Sequence, residues 1–207
     1  MKVYDVEQGS PEWLALRCKV PTASRFSALI TGTGEPSKQM AAYAYSKVCE
    51  KFTGSPLDEF QGNAWTGAGK EDEAAAREHY EFTTGYDVTQ VGFVTDDDAT
   101  CGCSPDSLVN DDGLLELKRL KGLLLVEMNL YYKRHKKLMP KYVAQVQGQM
   151  MICERKWCDV VFYNPLLPSL PIRVYPDDKV VAGLKAQIEA CNKLRDETLK
   201  QLGWQNE

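Results

Sequence analysis

The sequence predicts an α/β (α+β) layer fold with a central mixed β-sheet flanked by helices. Three observations carry this: the first third has helical periodicity, the middle turns to alternating and β-branched segments, and helices return around two further strands. Ser10-Pro11-Glu12-Trp13 has the form of a helix start, with Ser as N-cap and Pro at the first helical position. Thr22-Ala23-Ser24-Arg25 reads as a second start, capped by Thr22. Helical patterns run over 37–52 and 69–84, the latter stopped by Gly85. Strands are expected over 87–94, 100–109 and 114–120, with Asn110-Asp111-Asp112-Gly113 joining the last two as a hairpin. Helices over 123–136 and 141–153, strands over 157–163 and 171–175, and a C-terminal helix over 177–202 complete the reading.

The chain has 207 residues and a hydrophobic fraction of 43%, enough for a full core without staples. No repeat or linker divides it, so one domain over 1–207 is expected. A formal net charge of −4 argues at first sight against a polyanionic partner. No apolar run reaches the roughly 18 residues of a membrane span, and no secretory pattern opens the chain, so a soluble, cytoplasmic protein is expected. Seven cysteines at irregular spacings suit reduced thiols. Cys101-Gly-Cys103 and Cys153-x4-Cys158 lack a paired C-x2-C, and His79 and His135 are isolated. Small buried hydrophobes are a better account of these cysteines than zinc.

Chemistry concentrates in the hairpin. Glu116 and Lys118, one residue apart in a strand, project from one face, and Leu115 and Leu117 go to the other, into the core. A hairpin centred on Asp111 sets Asp106 opposite Glu116, with Cβ atoms roughly 5 Å apart. Two carboxylates at that range repel unless a cation lies between them, and oxygen-only donors suit a hard ion such as Mg²⁺. Lys118 beside them could steady an attacking hydroxide or the charge developing on a phosphorane. An Asp near a turn and an E-x-K strand also occur on solvated hairpins, where opposite charges pair for little energy. Two features favour chemistry: the Pro before Asp106, and the apolar setting of Glu116 and Lys118, where a buried strand has no structural use for charge.

Ser104-Pro105-Asp106 with Glu116-Leu117-Lys118 resembles the signature of the PD-(D/E)XK nuclease superfamily. The blocks 7–17, 22–24, 69–77 and 142–150 resemble, in order, those of the phage lambda exonuclease and YqaJ-type viral recombinase group. The resemblance implies a restriction-endonuclease-like core. It also implies a Mg²⁺-dependent 5′-to-3′ exodeoxyribonuclease, with Mn²⁺ as a possible substitute, that digests one strand of linear double-stranded DNA. The products would be mononucleotides and a 3′ single strand for recombination. It implies Glu73, Asp106, Glu116 and the Leu117 backbone carbonyl as metal ligands, with Lys118 and Gln145 placing the attacking water. Arg17 and Ser24 would form a pocket for a terminal 5′-phosphate, with Arg25, Lys121 and Arg134 as further DNA contacts. A free DNA end, a ring-shaped homotrimer and a single-strand annealing protein are the implied partners, in a bacterial or phage-infected cell. An endonuclease of the superfamily and a catalytically silent DNA-binding module are the rival readings.

Each residue also has a plainer account. Arg17 could form a surface ion pair, Glu73 could pair with Arg77 at i,i+4, and Gln145 could belong to an ordinary polar helix face. Trp65 could stack on a base or fill a core. Ser107 stands where the family often has Gly, so a somewhat different turn is expected there. The segment 118–141 holds eight Lys or Arg against one acid, Glu127, a local balance of +7. It is either a solvated helical face or a phosphate-tracking surface.

Overall fold

The computed structural model describes residues 1–57 and 67–204. Two small sheets form its centre. Strands β1 (Lys2–Tyr4), β3 (Phe93–Thr95) and β4 (Gly102–Cys103) make one. The other is five-stranded and mixed, in the order β2-β5-β6-β7-β8: Val88–Thr89, Ser107–Val109, Gly113–Arg119, Trp157–Asn164 and Leu167–Val174. Helices α1 (Pro11–Lys19), α2 (Met40–Thr53), α3 (Gly67–Thr84), α4 (Gly122–His135), α5 (Pro140–Ile152) and α6 (Asp178–Leu202) surround them, with a 3-10 helix over Ala23–Ala28.

Apart from β1, which the sequence reading did not include, the order of elements follows that reading, and several boundaries differ for physical reasons. The strand expected over 87–94 is split between the sheets, because the Gln8 amide takes the Val91 carbonyl at 2.9 Å. The strand expected over 100–109 breaks at Ser104-Pro105-Asp106, where Pro105 has no N–H to give a ladder. Thr22 does not cap with its side chain, and Ala23–Ala28 form a six-residue 3-10 helix rather than the start of an α-helix. Gly113 lies in β6 rather than in the turn, whose positive φ is taken by Asn110 (46°). A Cβ at Gly113 would come within 2.2 Å of the Trp157 ring.

Strand β6 is central. It pairs antiparallel with β5 in the expected register, Ser107 opposite Leu115, and parallel with β7, Glu116 opposite Val160. A parallel neighbour requires a crossover, and α4 and α5 supply it. Both faces of β6 are covered, which corrects the expectation that Leu115 and Leu117 alone point to the core. Those two pack with Tyr80, Val161 and Tyr163 beneath α3, whereas Leu114, Val160 and Phe162 belong to the larger core on the Glu116 face. Helix α3 is fixed to the sheet by Asp159, which accepts from Tyr80 Oη at 2.7 Å and from both Arg173 nitrogens.

Helix α5 lies against the 3-10 helix, and Gly148 makes the close approach possible, since a Cβ there would sit 2.3 Å from Phe26 Cδ2. Helix propensity alone would make Gly148→Ala stabilising by about 1 kcal/mol. Overpacking against Phe26 is expected to reverse the sign, to a loss of about 1–3 kcal/mol in urea unfolding.

Candidate active site

Glu116 is 3% exposed, so its carboxylate must be satisfied inside the protein. Three groups do this. Lys118, two residues on along the same face of β6, forms an ion pair with Oε1. Gln145 Nε2 donates to Oε1 and Gln149 Nε2 to Oε2, each at 2.6 Å. The glutamines stand one turn apart on α5, so one helix face grips both oxygens. Gln149 is 1% exposed and its own Oε1 has no hydrogen-bond partner. Sequence reasoning missed the role of Gln149, which shares one face of α5 with Gln145 at i,i+4 spacing.

Asp106 leaves β5 one residue before Ser107, and its Oδ2 accepts from the Leu117 amide at 2.5 Å. It is partly open to a cleft of about 460 Å³ that it shares with Glu73, Arg77 and Gln8. Burial raises the Asp106 pKa well above the carboxylate range, and the charges of Glu116 and then Glu73 raise it further. The register that sets Ser107 opposite Leu115 places Asp106 and Glu116 at the next pair of positions along the hairpin. Lys118 behaves differently: burial opposes its charge, but Glu116 and Asp106 outweigh that and hold the ammonium above its usual pKa. In this arrangement Lys118 is a fixed cation.

Glu73 takes the plainer of its two readings here, pairing with Arg77 at 2.7 Å and i,i+4 spacing. Ser107, fully buried, receives Arg77 Nε on its Oγ at 3.1 Å and donates to the Asp106 carbonyl, a role Gly could not fill. Among the described residues, no group of three or more His, Cys, Asp or Glu side chains is gathered to hold a metal ion. Asp106 and Glu116 nevertheless fit one. They are hard oxygen donors under mutual repulsion, and Mg²⁺ is commonly held by one or two carboxylates with substrate phosphate completing its shell. The cysteines show no such gathering; Cys103 and Cys153 lie with Sγ atoms 3.5 Å apart in the core as free thiols.

A second cleft, of about 340 Å³, is lined by Arg17, Ser24, Arg25, Tyr43, Lys47 and Glu50 among others. Among the described residues Arg17 makes no ion pair. Its guanidinium stacks 4.3 Å from the Trp13 ring centroid and donates to Ser24 Oγ at 3.1 Å. Burial lowers the Arg17 pKa, as expected of a cation short of solvent. Arg25 lies over Tyr43 at 5.7 Å. Lys47, which sequence reasoning also missed, is 4% exposed and bridges the Arg17 carbonyl (2.8 Å) and Glu50.

Of the basic run, Lys118 and Arg119 are engaged by Glu116 and Asp72. Lys121 and Arg134 are exposed at opposite ends of α4, and the face between them is apolar, with Leu123, Val126 and Leu130 in solvent. Trp65 lies outside the described residues. A further cleft, of about 710 Å³ between α3 and β7–β8, is mainly apolar, and its Asp159 is already engaged by Tyr80 and Arg173.

This geometry has two measurable consequences. Asp106 has a folded-state pKa above its unfolded one, so it binds protons in the native state and costs stability as pH rises through that interval. Asp106→Asn is expected to raise the metal-free melting temperature at pH 8 and to change it little at pH 4. Gln149→Met should weaken Mn²⁺ binding about 10-fold or more in calorimetric titration, because the partner that orients Glu116 Oε2 is lost.

The chain belongs to the YqaJ-like viral recombinase domain family, whose model matches residues 12–156. An alkaline exonuclease from Laribacter hongkongensis, LHK-Exo, is 31% identical, with a TM-score of 0.80 over 94% of this chain and 96% of that one. Its complex with dAMP is likewise 31% identical, with a TM-score of 0.79 over 93% and 96%. A phage-related exonuclease from Haemophilus somnus 129PT, 14% identical, shares the fold with a TM-score of 0.67 over 88% of this chain and 96% of that one. No curated protein matches.

Proposed function

We propose that this member of the YqaJ-like viral recombinase family is a divalent-metal-dependent 5′-to-3′ exodeoxyribonuclease. It digests one strand of linear duplex DNA to mononucleotides and leaves a 3′ single strand for annealing. The observation that carries this reading is the pairing of two clefts on one framework. One holds Asp106, with Glu116 and Lys118 beside it, and the other is lined by Arg17 and Ser24, donors of the kind a terminal phosphate would need. The similar LHK-Exo has been solved with dAMP, a mononucleotide of the kind such a reaction releases.

Hydrolysis needs a water oxygen to attack phosphorus, the P–O3′ bond to break, and the leaving 3′ oxygen to gain a proton. Asp106 and Glu116, with the Leu117 carbonyl, would hold Mg²⁺ or Mn²⁺, and Glu73 would join them by releasing Arg77. Such an ion, when bound, supplies charge stabilisation and lowers the pKa of water. Lys118 contributes a fixed positive charge where the attacking oxygen and the crowded phosphorus gather negative charge. Gln145 and Gln149 hold the two Glu116 oxygens in place. Arg17 offers a forked donor to the terminal phosphate, and Arg25, Lys121 and Arg134 supply sequence-independent contacts to the backbone. A ring-shaped trimer and a single-strand annealing partner belong to the same reading. The exposed Leu123, Val126 and Leu130 support an assembly larger than one chain.

An end-labelled linear duplex and a covalently closed circle, each incubated with Mg²⁺, test the proposal. Labelled mononucleotides from 5′ ends and intact circles are expected, with 5′-phosphorylated ends digested faster than 5′-hydroxyl ends. Rapid cutting of circles would instead identify an endonuclease. Glu116→Gln and Lys118→Ala should each lower nucleotide release by about 100-fold or more. Undiminished release would point to a different centre.

A further inference from the structure

We propose that the segment Gln8–Arg17 is a rigid spacer between the two clefts, and that Trp13 is the positioning residue within it that sets the released product at one nucleotide. The inference rests on the function proposed above and concerns what fixes the distance between its parts. Two side chains of this segment hold the two residues immediately before Asp106. Gln8 Nε2 donates to the Pro105 carbonyl at 3.2 Å while also holding the Val91 carbonyl at 2.9 Å. Trp13 Nε1 donates to Ser104 Oγ at 2.8 Å. Arg17 stands one helical turn beyond Trp13, and its guanidinium lies 4.3 Å from the centroid of that same indole. One side chain, 2% exposed and wedged with Val20 and Phe93, therefore touches both the arm that carries Asp106 and the cation of the phosphate cleft.

The spacer is stiffened within and fastened at its far end from outside. Within it, Ser10 Oγ caps α1 by accepting the Trp13 amide at 3.2 Å, and from outside Lys47 Nζ holds the Arg17 carbonyl at 2.8 Å. The Arg17 guanidinium is fixed in turn to Ser24 at 3.1 Å. With a strand end held in the Arg17 cleft, the phosphodiester presented to Asp106 and Glu116 is decided by the span between the clefts. Slack in that span admits a second linkage. A misplacement of about 1 Å can cost a reacting geometry about 100-fold, so a stiff link would fix the cut to a single linkage.

The test digests a 5′-phosphorylated linear duplex with Mg²⁺ and resolves the first products by length. Trp13→Phe keeps a ring for Arg17 to stack on but removes the N–H donor, and Ser104→Ala removes its acceptor from the other side. Each is expected to raise the share of di- and trinucleotides about fivefold or more over wild type, by loosening the reacting geometry. A lower rate or melting temperature with products still confined to mononucleotides is what a merely structural Trp would give, and that result overturns the proposal. Should Trp13→Phe fail to fold, Ser104→Ala decides alone by the same readout. A wild-type enzyme that neither prefers 5′-phosphate ends nor yields mononucleotides would reject the end-anchoring function itself, and the spacer with it.

Discussion

A carboxylate buried in the middle of a sheet is the constraint on which most of this structure depends. Glu116 sits on a central strand among Leu114, Val160 and Phe162, where a bare charge would cost several kcal/mol. Lys118 answers part of that charge from the same strand, but the rest must come from another element. Gln145 and Gln149 supply it, which requires α5 to lie directly over β6. The parallel β6–β7 crossover places α5 there, and the missing side chain at Gly148 lets it approach the 3-10 helix. That contact brings Ser24, and through it Arg17, onto the same body as the carboxylates.

Asp106 adds the opposing pressure. Its proton affinity is raised by burial and by two neighbouring acids, and both of those acids are held in ion pairs. Glu73 with Arg77, and Glu116 with Lys118, are such pairs. Active sites commonly concentrate charge in this way at some cost in stability. The overall charge of −4 conceals the pattern, because the acids of the cleft and the exposed cations around α4 lie on different elements.

Much of this was legible in the sequence. Period-two alternation placed Glu116 and Lys118 on one face, and the hairpin count gave the register of Ser107 opposite Leu115. The assignment of Leu115 and Leu117 to the core was half of the answer, since the alternation of a strand covered on both faces cannot say which face is the deeper. Turn chemistry misled at Gly113, where the glycine serves the Trp157 ring rather than the turn. The roles of Gln149, Lys47 and Ser107 were not readable in the sequence, for a common reason. Each acts through a partner distant in sequence, Glu116, Arg17 and Arg77 respectively, which no local pattern connects. The Trp13-x3-Arg17 spacing was readable as one helical turn, but the bond from Trp13 to Ser104 was not.

The central claim is that Asp106 and Glu116 together hold a divalent ion beside Lys118. An anomalous difference map from crystals soaked in Mn²⁺ tests it most directly. A peak within bonding distance of both carboxylates, lost in crystals of Glu116→Gln, is the expected result. A peak elsewhere, or none at saturating Mn²⁺, would contradict the account.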